Sequence, residues 1–221
     1  MLAAMTKKRV AVVLSGCGVY DGAEIHESVL TLLALDRAGV EIVCTAPDVS
    51  QMHVVDHVAG KPTGESRSVL VESARIARGK LTPLDALAPG DIDAAIFCGG
   101  FGVAKNLSDF ATKGAEMSVE PTTAMFVNAL VAAKKPIGFM CIAPVIAARL
   151  VPGCELTIGD DAETAAACEK MGAKHVRCAV TEIHVDARHR IVTTPAYMLA
   201  QRVTEVATGI DKLVMAVLEF A

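Results

Sequence analysis

The chain has 221 residues, of which 52% are hydrophobic, 4% aromatic and 21% charged, and its formal net charge is −4. This length suits one large domain over 1–221, and the ordinary share of charge excludes a disordered chain. The pI near 5.9 and the absence of an apolar run that could cross a bilayer predict a soluble protein without nucleic-acid or membrane partners.

Cysteine and histidine usage gives no sign of a disulfide framework or a metal site. The seven cysteines are odd in number and form no C-x-x-C pair, and the six histidines form no zinc motif. We therefore expect neither a metal nor another cofactor. The few residues before the first predicted strand are too short for a signal peptide, so the predicted location is the cytoplasm, with reduced thiols.

The first half of the chain alternates short apolar runs with helical periods, the pattern of parallel βαβ units. The predicted elements are a strand over 9–15, a helix from 25 to a terminal glycine at 39, a strand over 40–45, an irregular or hairpin segment over 53–66, a helix over 68–78 and a strand over 94–98. Glycine-rich turns follow the first and third of these strands, at 16–22 and 99–102.

The second half continues the alternation. It predicts a helix opened by Pro121 and ended at 135–136, a strand over 137–140, a helix over 144–150, a helix over 160–171, a hairpin of 183–185 with 191–194, and an amphipathic helix over 198–220 that is interrupted or bent near Gly209. With no repeat and no linker, the chain is predicted to form one α/β domain with a mostly parallel sheet.

Nucleotide binding is disfavoured at the first glycine-rich turn. This turn begins like a G-x-G-x-x-G fingerprint, but Asp21 occupies its sixth position and would repel a pyrophosphate. No phosphate-binding P-loop motif occurs anywhere in the chain.

Cys141 is the strongest candidate nucleophile. It follows a buried strand and precedes a helix, which is the thiol version of a nucleophile elbow. The helix N-terminus is expected to lower its pKa below that of the other six cysteines, and the amide of Ile142 would point toward a developing oxyanion. The alternative is a small buried hydrophobic side chain, the usual role of cysteine.

Four segments give the chain a family resemblance, at 15–27, 99–108, 138–144 and 191–200. They closely resemble the enhancing-lycopene-biosynthesis family, isoprenoid biosynthesis proteins with an amidotransferase-like domain in the PfpI superfamily. The resemblance implies a flavodoxin-like three-layer sandwich of the class I glutamine amidotransferase type. It also implies a glyoxalase III-like activity that converts glyoxal or methylglyoxal to glycolate or lactate, without glutathione or metal.

The resemblance assigns roles to individual residues. Cys141 matches the nucleophile, and Glu27 matches the carboxylic acid that hydrogen-bonds its sulfur. Gly99 and Gly100 match the turn whose amides complete the oxyanion hole with Ile142. Further candidates are Glu24, a rival to Glu27 that is expected to face solvent, Cys17 as a cleft wall, resolving thiol or bystander, His26 as a cleft-mouth or solvated residue, and Tyr197 as a pocket-closing or packing residue.

Two departures weaken the peptidase and glutaminase interpretations. Ile142 stands where some superfamily members carry a histidine directly after the cysteine, and the late His-x-Glu pair is missing because Val185 and Asp186 follow His184. The favoured interpretation is an enzyme for small aldehydes. The alternatives are a cysteine-based redox sensor or partner-binding module, and an amidotransferase-like subunit. A homodimer is expected, because relatives of this fold usually dimerise.

Overall fold

A computed structural model describes residues 7–221 of the chain and shows an α/β fold built on a seven-stranded sheet. The strands are β1 Arg9–Val13, β2 Glu41–Ala46, β3 Val55–Asp56, β4 Lys61–Pro62, β5 Thr82–Pro83, β6 Ala94–Phe97, β7 Ile137–Met140, β8 Glu155–Leu156, β9 Lys174–His175, β10 His184–Asp186 and β11 Ile191–Thr194. The sheet order is β10-β11-β7-β6-β1-β2-β5, and only β10 runs antiparallel to its neighbour.

Helices cover both faces of this sheet. They are α1 Ile25–Arg37, α2 Val69–Ile76, α3 Phe101–Lys105, α4 Phe110–Lys113, α5 Pro121–Ala132, α6 Pro144–Leu150, α7 Ala162–Lys170 and α8 Val203–Phe220. Alternate residues of β1 pack into two separate hydrophobic cores. Ala11 and Val13 pack into one core, and Val10 and Val12 pack into the other. The three layers follow from this alternation, because a strand buried on both sides needs helices above and below it.

The parallel central strands bring their carboxyl ends to one edge of the sheet. Ligands of open α/β sheets bind at this edge. The turns that follow β1, β6, β7 and β11 therefore meet there, although they lie far apart in the sequence. Within residues 7–221, no helix is long and apolar enough to cross a bilayer.

The last helix differs from its prediction. It begins at Val203, after a 3₁₀ turn over Ala196–Met198, and it continues through Gly209 without interruption. A Cβ at position 209 would lie 2.7 Å from the Thr194 hydroxyl oxygen. The predicted interruption at Gly209 is therefore wrong, and the glycine lets the helix approach β11 closely.

The hairpin alternative for 53–66 is the one that forms, as β3 and β4. The short helices α3 and α4, the edge strand β5 and the small parallel pair β8–β9 had no prediction. All are five residues or shorter, too short for hydrophobic periodicity to show them.

Candidate active site

Cys141 lies on the sharp turn between β7 and α6, at the carboxyl edge of the sheet. Its φ is 58°, in the left-handed region that non-glycine residues rarely adopt. Its amide donates a hydrogen bond to the Thr194 carbonyl at 3.1 Å, which ties the turn to the end of β11. The side chain is 8% exposed. A strained turn of this kind is where a nucleophile is presented to a cleft.

Glu27 is fully buried beside this cysteine, one turn into α1. Its Oε2 accepts a hydrogen bond from the Gly99 amide at 2.9 Å, and its Oε1 accepts one from the Tyr197 amide at 3.2 Å. Its side chain is also hydrogen-bonded to that of Cys141. Burial and the negative charge of Glu24 raise the pKa of Glu27 to about 8, so the carboxyl group holds its proton at neutral pH.

The Cys141 sulfur receives hydrogen bonds from the backbone amides of Gly100 and Ile142. These amides favour the thiolate, but burial and the charge of ionised Glu27 outweigh them and raise the pKa of Cys141 well above its ordinary value. The prediction of a lowered pKa is therefore wrong. The helix behind the turn, α6, has only seven residues, and its N-terminal field does not offset the burial of the sulfur.

Gly99 does not contribute its amide to an oxyanion hole as predicted, because this amide already donates a hydrogen bond to Glu27. A Cβ at this position would lie 2.4 Å from the Cys141 Cβ and 2.5 Å from the Glu27 Oε2. Gly99 thus makes room for the cysteine–glutamate pair. The amides of Gly100 and Ile142 are the donors directed at the sulfur.

Glu24 does not face solvent, contrary to the expectation for a residue at the start of a helix. It is 8% exposed, and its Oε2 accepts the Glu27 amide at 2.7 Å as the N-cap of α1. This cap fixes the first turn of the helix and so the direction in which Glu27 points.

A cavity of about 790 Å³ opens above the pair. Cys141, Ile142, Gly100, Glu24 and Tyr197 contribute to its walls.

Two of the predicted cleft residues do not line this cavity. His26 is exposed and contacts the Tyr197 hydroxyl through its Nδ1 at 2.7 Å, so it holds a wall residue in place. Cys17 is half-buried, and its pKa is raised by burial and by the negative charge of Glu72. The structure brings six predicted residues together beside Cys141 or in the cavity wall and leaves these two outside. The six are Glu27, Gly99, Gly100, Ile142, Glu24 and Tyr197.

Other walls of the cavity come from segments without a predicted role. They are contributed by Phe101 and Lys105 of α3, by Phe110 of α4, and by Asp161 and Glu163 at the start of α7. Phe101 and Lys105 lie in the segment 99–108 that carries the family resemblance, but no role was predicted for them, and the other three lie outside the four family segments. Only the order of the strands, which brings α3 and α7 to the same edge, places them here.

Comparison with known proteins identifies the family. No family model matches the chain. The rat protein "ES1 protein homolog, mitochondrial" (Rattus norvegicus) is 50% identical over 223 residues, covering 96% of this chain and 84% of that protein. The human "Glutamine amidotransferase-like class 1 domain-containing protein 3, mitochondrial" is 50% identical over 221 residues, covering 96% of this chain and 82% of that protein. This chain belongs to the ES1 protein family.

Solved structures confirm the fold of this ES1 family member. An isoprenoid biosynthesis protein with an amidotransferase-like domain from Ehrlichia chaffeensis superimposes with a TM-score of 0.90 at 36% identity, over 96% of this chain and all of that one. Glyoxalase III from Candida albicans superimposes with a TM-score of 0.62 at 15% identity, over 95% and 97% of the two chains. The second likeness shows the fold alone. The predicted amidotransferase-like, PfpI-type fold is therefore correct.

Proposed function

We propose that this ES1 family member is a glyoxalase III-like enzyme that converts glyoxal to glycolate and methylglyoxal to lactate. The observation that carries the proposal is the buried pair of Cys141 and Glu27, with the Gly100 and Ile142 amides donating to the sulfur. This arrangement places a nucleophile and two oxyanion donors in the wall of one cavity, with a buried proton carrier beside the nucleophile.

The first step forms a bond between the Cys141 sulfur and the aldehyde carbon. The ionised form of Glu27 starts the reaction. As the sulfur attacks, the thiol proton passes to the Glu27 carboxylate, and the electron pair of the C=O double bond moves onto the oxygen. The Gly100 and Ile142 amides stabilise this oxyanion, an effect that typically contributes about 10²- to 10³-fold to a rate. Return of the proton from Glu27 to the oxygen completes a hemithioacetal.

The second step moves hydrogen between the two carbons of the substrate. The Glu27 carboxylate removes the proton from the hemithioacetal carbon, which gives an enediol. The hydroxyl proton passes to the oxygen of the neighbouring carbon, and Glu27 returns its proton to that carbon. The first carbon is thereby oxidised to a thioester while the second is reduced to a carbinol. Water then cleaves the resulting thioester, which releases the 2-hydroxy acid and regenerates the thiol. A pKa of about 8 suits this part, because a group titrating close to neutral pH can both take and return a proton.

The test is to add glyoxal to the pure, reduced protein and to measure glycolate, with Cys141→Ala as the control. We expect a turnover number within the common enzyme range of about 1 to 10³ s⁻¹ for the wild type and none for the variant. A barely detectable rate, or a rate that survives in Cys141→Ala, would contradict the proposal.

The alternative is a redox sensor in which Cys141 is oxidised to a sulfenic or sulfinic acid. Its support is Glu27, whose protonated carboxyl group would hydrogen-bond an oxidised sulfur. The deep burial and raised pKa of Cys141 count against it, since oxidation follows thiolate character and exposure. Mass spectrometry after exposure to dilute peroxide distinguishes the two functions, because a sensor gains oxygen on Cys141 before any other cysteine.

Assembly and location are part of the proposal. We expect a homodimer, and light scattering that gives a 23 kDa monomer at micromolar concentration would contradict it. One seven-stranded sheet drawn from most of the chain supports a single domain. Membership of the enhancing-lycopene-biosynthesis branch and a cytoplasmic location remain predictions. The names of the rat and human relatives, both mitochondrial, do not favour that location.

A further inference from the structure

The cavity above Cys141 is much larger than the substrates named so far. Its volume of about 790 Å³ lies in the upper part of the range of roughly 300–1,000 Å³ that is typical of sites for drug-sized ligands. Glyoxal and methylglyoxal, with two and three carbons, would occupy a small fraction of this space and would leave most of the walls in contact with water.

These walls carry an apolar surface that a small aldehyde would not reach. Val19, Phe110, Ile142 and Met198 line the cavity, and so does Phe101, whose side chain is 51% exposed. A ligand that covers these side chains removes apolar area from water, which favours binding in proportion to the area covered.

The charge of the walls excludes an anionic ligand. Among the described residues of the lining, Lys105 is the one cation, against the carboxylates of Glu24, Asp161 and Glu163. The Lys105 Nζ is already used, because it donates to the Tyr20 carbonyl at 2.7 Å and lies 5.3 Å from the centre of the Phe101 ring. A phosphate or carboxylate on the substrate would therefore meet net negative charge.

We infer that the preferred substrate is an uncharged 2-oxoaldehyde that carries a bulky apolar group, and that the small aldehydes are poor substrates of the same site. The inference rests on the proposed function and extends it to a substrate class. The aldehyde carbon meets the Cys141 sulfur, and the apolar group lies between α3 and α7. The reaction follows the two steps described for glyoxal. Water is the only co-reactant, and the product is an aryl- or alkyl-substituted 2-hydroxy acid.

The first experiment compares kcat/KM for phenylglyoxal, methylglyoxal and 4-carboxyphenylglyoxal, with mandelate, lactate and the carboxylated mandelate as products. We expect kcat/KM for phenylglyoxal to exceed kcat/KM for each of the other two substrates by about tenfold or more. This ratio is within the discrimination that an apolar pocket provides. If methylglyoxal equals phenylglyoxal, the inference is overturned and the proposed function stands. If the carboxylated substrate equals phenylglyoxal, the charge argument fails.

A matched pair of variants tests where the apolar group lies. Ala167 on α7 lines the cavity, whereas its neighbour Ala166 is exposed and does not. Ala167→Phe should lower the ratio of kcat/KM for phenylglyoxal over glyoxal by about tenfold, because the added ring fills the space. Ala166→Phe should leave this ratio at the wild-type value. An equal ratio in the two variants would overturn the placement between α3 and α7.

Alkylation of Cys141 separates failure of this inference from failure of the proposed function. Phenacyl bromide and bromoacetone react with thiols without turnover, and each rate is divided by the rate with free cysteine. We expect the aromatic reagent to label Cys141 about tenfold faster on this scale, even if no aldehyde is converted. Equal normalised rates would overturn the inference, whatever the aldehyde assays give.

Discussion

Two turns at the same edge of the sheet each carry a cysteine, Cys17 four residues after the end of β1 and Cys141 directly after β7, yet only one forms a site. After β1, Cys17 is half-buried and lies outside the cavity. After β7, Cys141 adopts a positive φ, receives two backbone amides and contacts a buried carboxyl group. The difference comes from neighbouring elements. A cysteine at the end of a strand becomes a candidate nucleophile when α1 and the turn after β6 supply its partners.

The largest expected effect comes from exchanging the two cysteines for alanine one at a time. Cys141→Ala should lower the rate of aldehyde conversion by about 10⁴-fold or more, because it removes the only atom that forms a bond to the substrate. Cys17→Ala should change the rate by less than about threefold, since its sulfur does not line the cavity. Glycolate formation from glyoxal measures both. A large loss in Cys17→Ala would mean that the two turns act together.

The next effect separates the two glutamates at the start of α1. Glu27→Gln should lower kcat/KM by about 10²- to 10⁴-fold, the usual contribution of general acid–base catalysis, because an amide cannot carry the proton. Glu24→Gln retains an oxygen that can cap the helix and should lose less than about tenfold. Circular dichroism of both variants checks that they fold. A dead Glu24→Gln beside a normal Glu27→Gln would exchange their roles.

A smaller loss is expected at Gly99, where a side chain has no room. Gly99→Ala places a Cβ against both Cys141 and Glu27, and we expect the displaced pair to lose about 10²-fold in kcat/KM. Gly90→Ala is the control, because no atom lies within 4 Å of a Cβ built at that position. Both rates are measured with the same aldehyde. A Gly99→Ala enzyme with wild-type kinetics would show that the pair tolerates separation.

The smallest effect is the pH dependence of the rate. The ionised form of Glu27 is the base, so kcat/KM should rise with pH through a midpoint at about 8, reach a plateau above about 9 and be about tenfold below that plateau at pH 7. Glu24→Gln removes a negative charge that raises the pKa of Glu27, and it should therefore move the midpoint to lower pH. A profile that falls with rising pH, or a midpoint that does not move, would contradict this assignment.

The sequence predicts well those features that depend on short-range patterns. The apolar runs at β1, β6 and β7 and the helical period of α1 lie where expected, because strands buried on both faces are continuous in sequence. The turn at Cys141 follows from the same logic, as a small residue between a strand and Pro144. The fold class is correct for these reasons.

The features that the sequence did not predict depend on the packing of elements that lie far apart in the sequence. The pKa of Cys141 is set by its burial, which no local pattern reports, and the sign of its shift was wrong for that reason. Likewise, the burial of Glu24 and the use of the Gly99 amide by Glu27 require the packing of α1 against the turn after β6. An interruption was predicted at Gly209 because the contact that favours a glycine there, with Thr194, lies on another element.

The hydrogen bond from the Tyr197 amide to Glu27 spans 170 positions of the sequence, and the Cys141 amide is held by the Thr194 carbonyl. During synthesis, a domain generally folds as a unit. A nascent chain that ends before β11 already contains Cys141 and Glu27 but lacks the backbone that orients them. The carboxyl group and the backbone that holds the cysteine therefore come together only after β11 has been synthesised and has paired with β7.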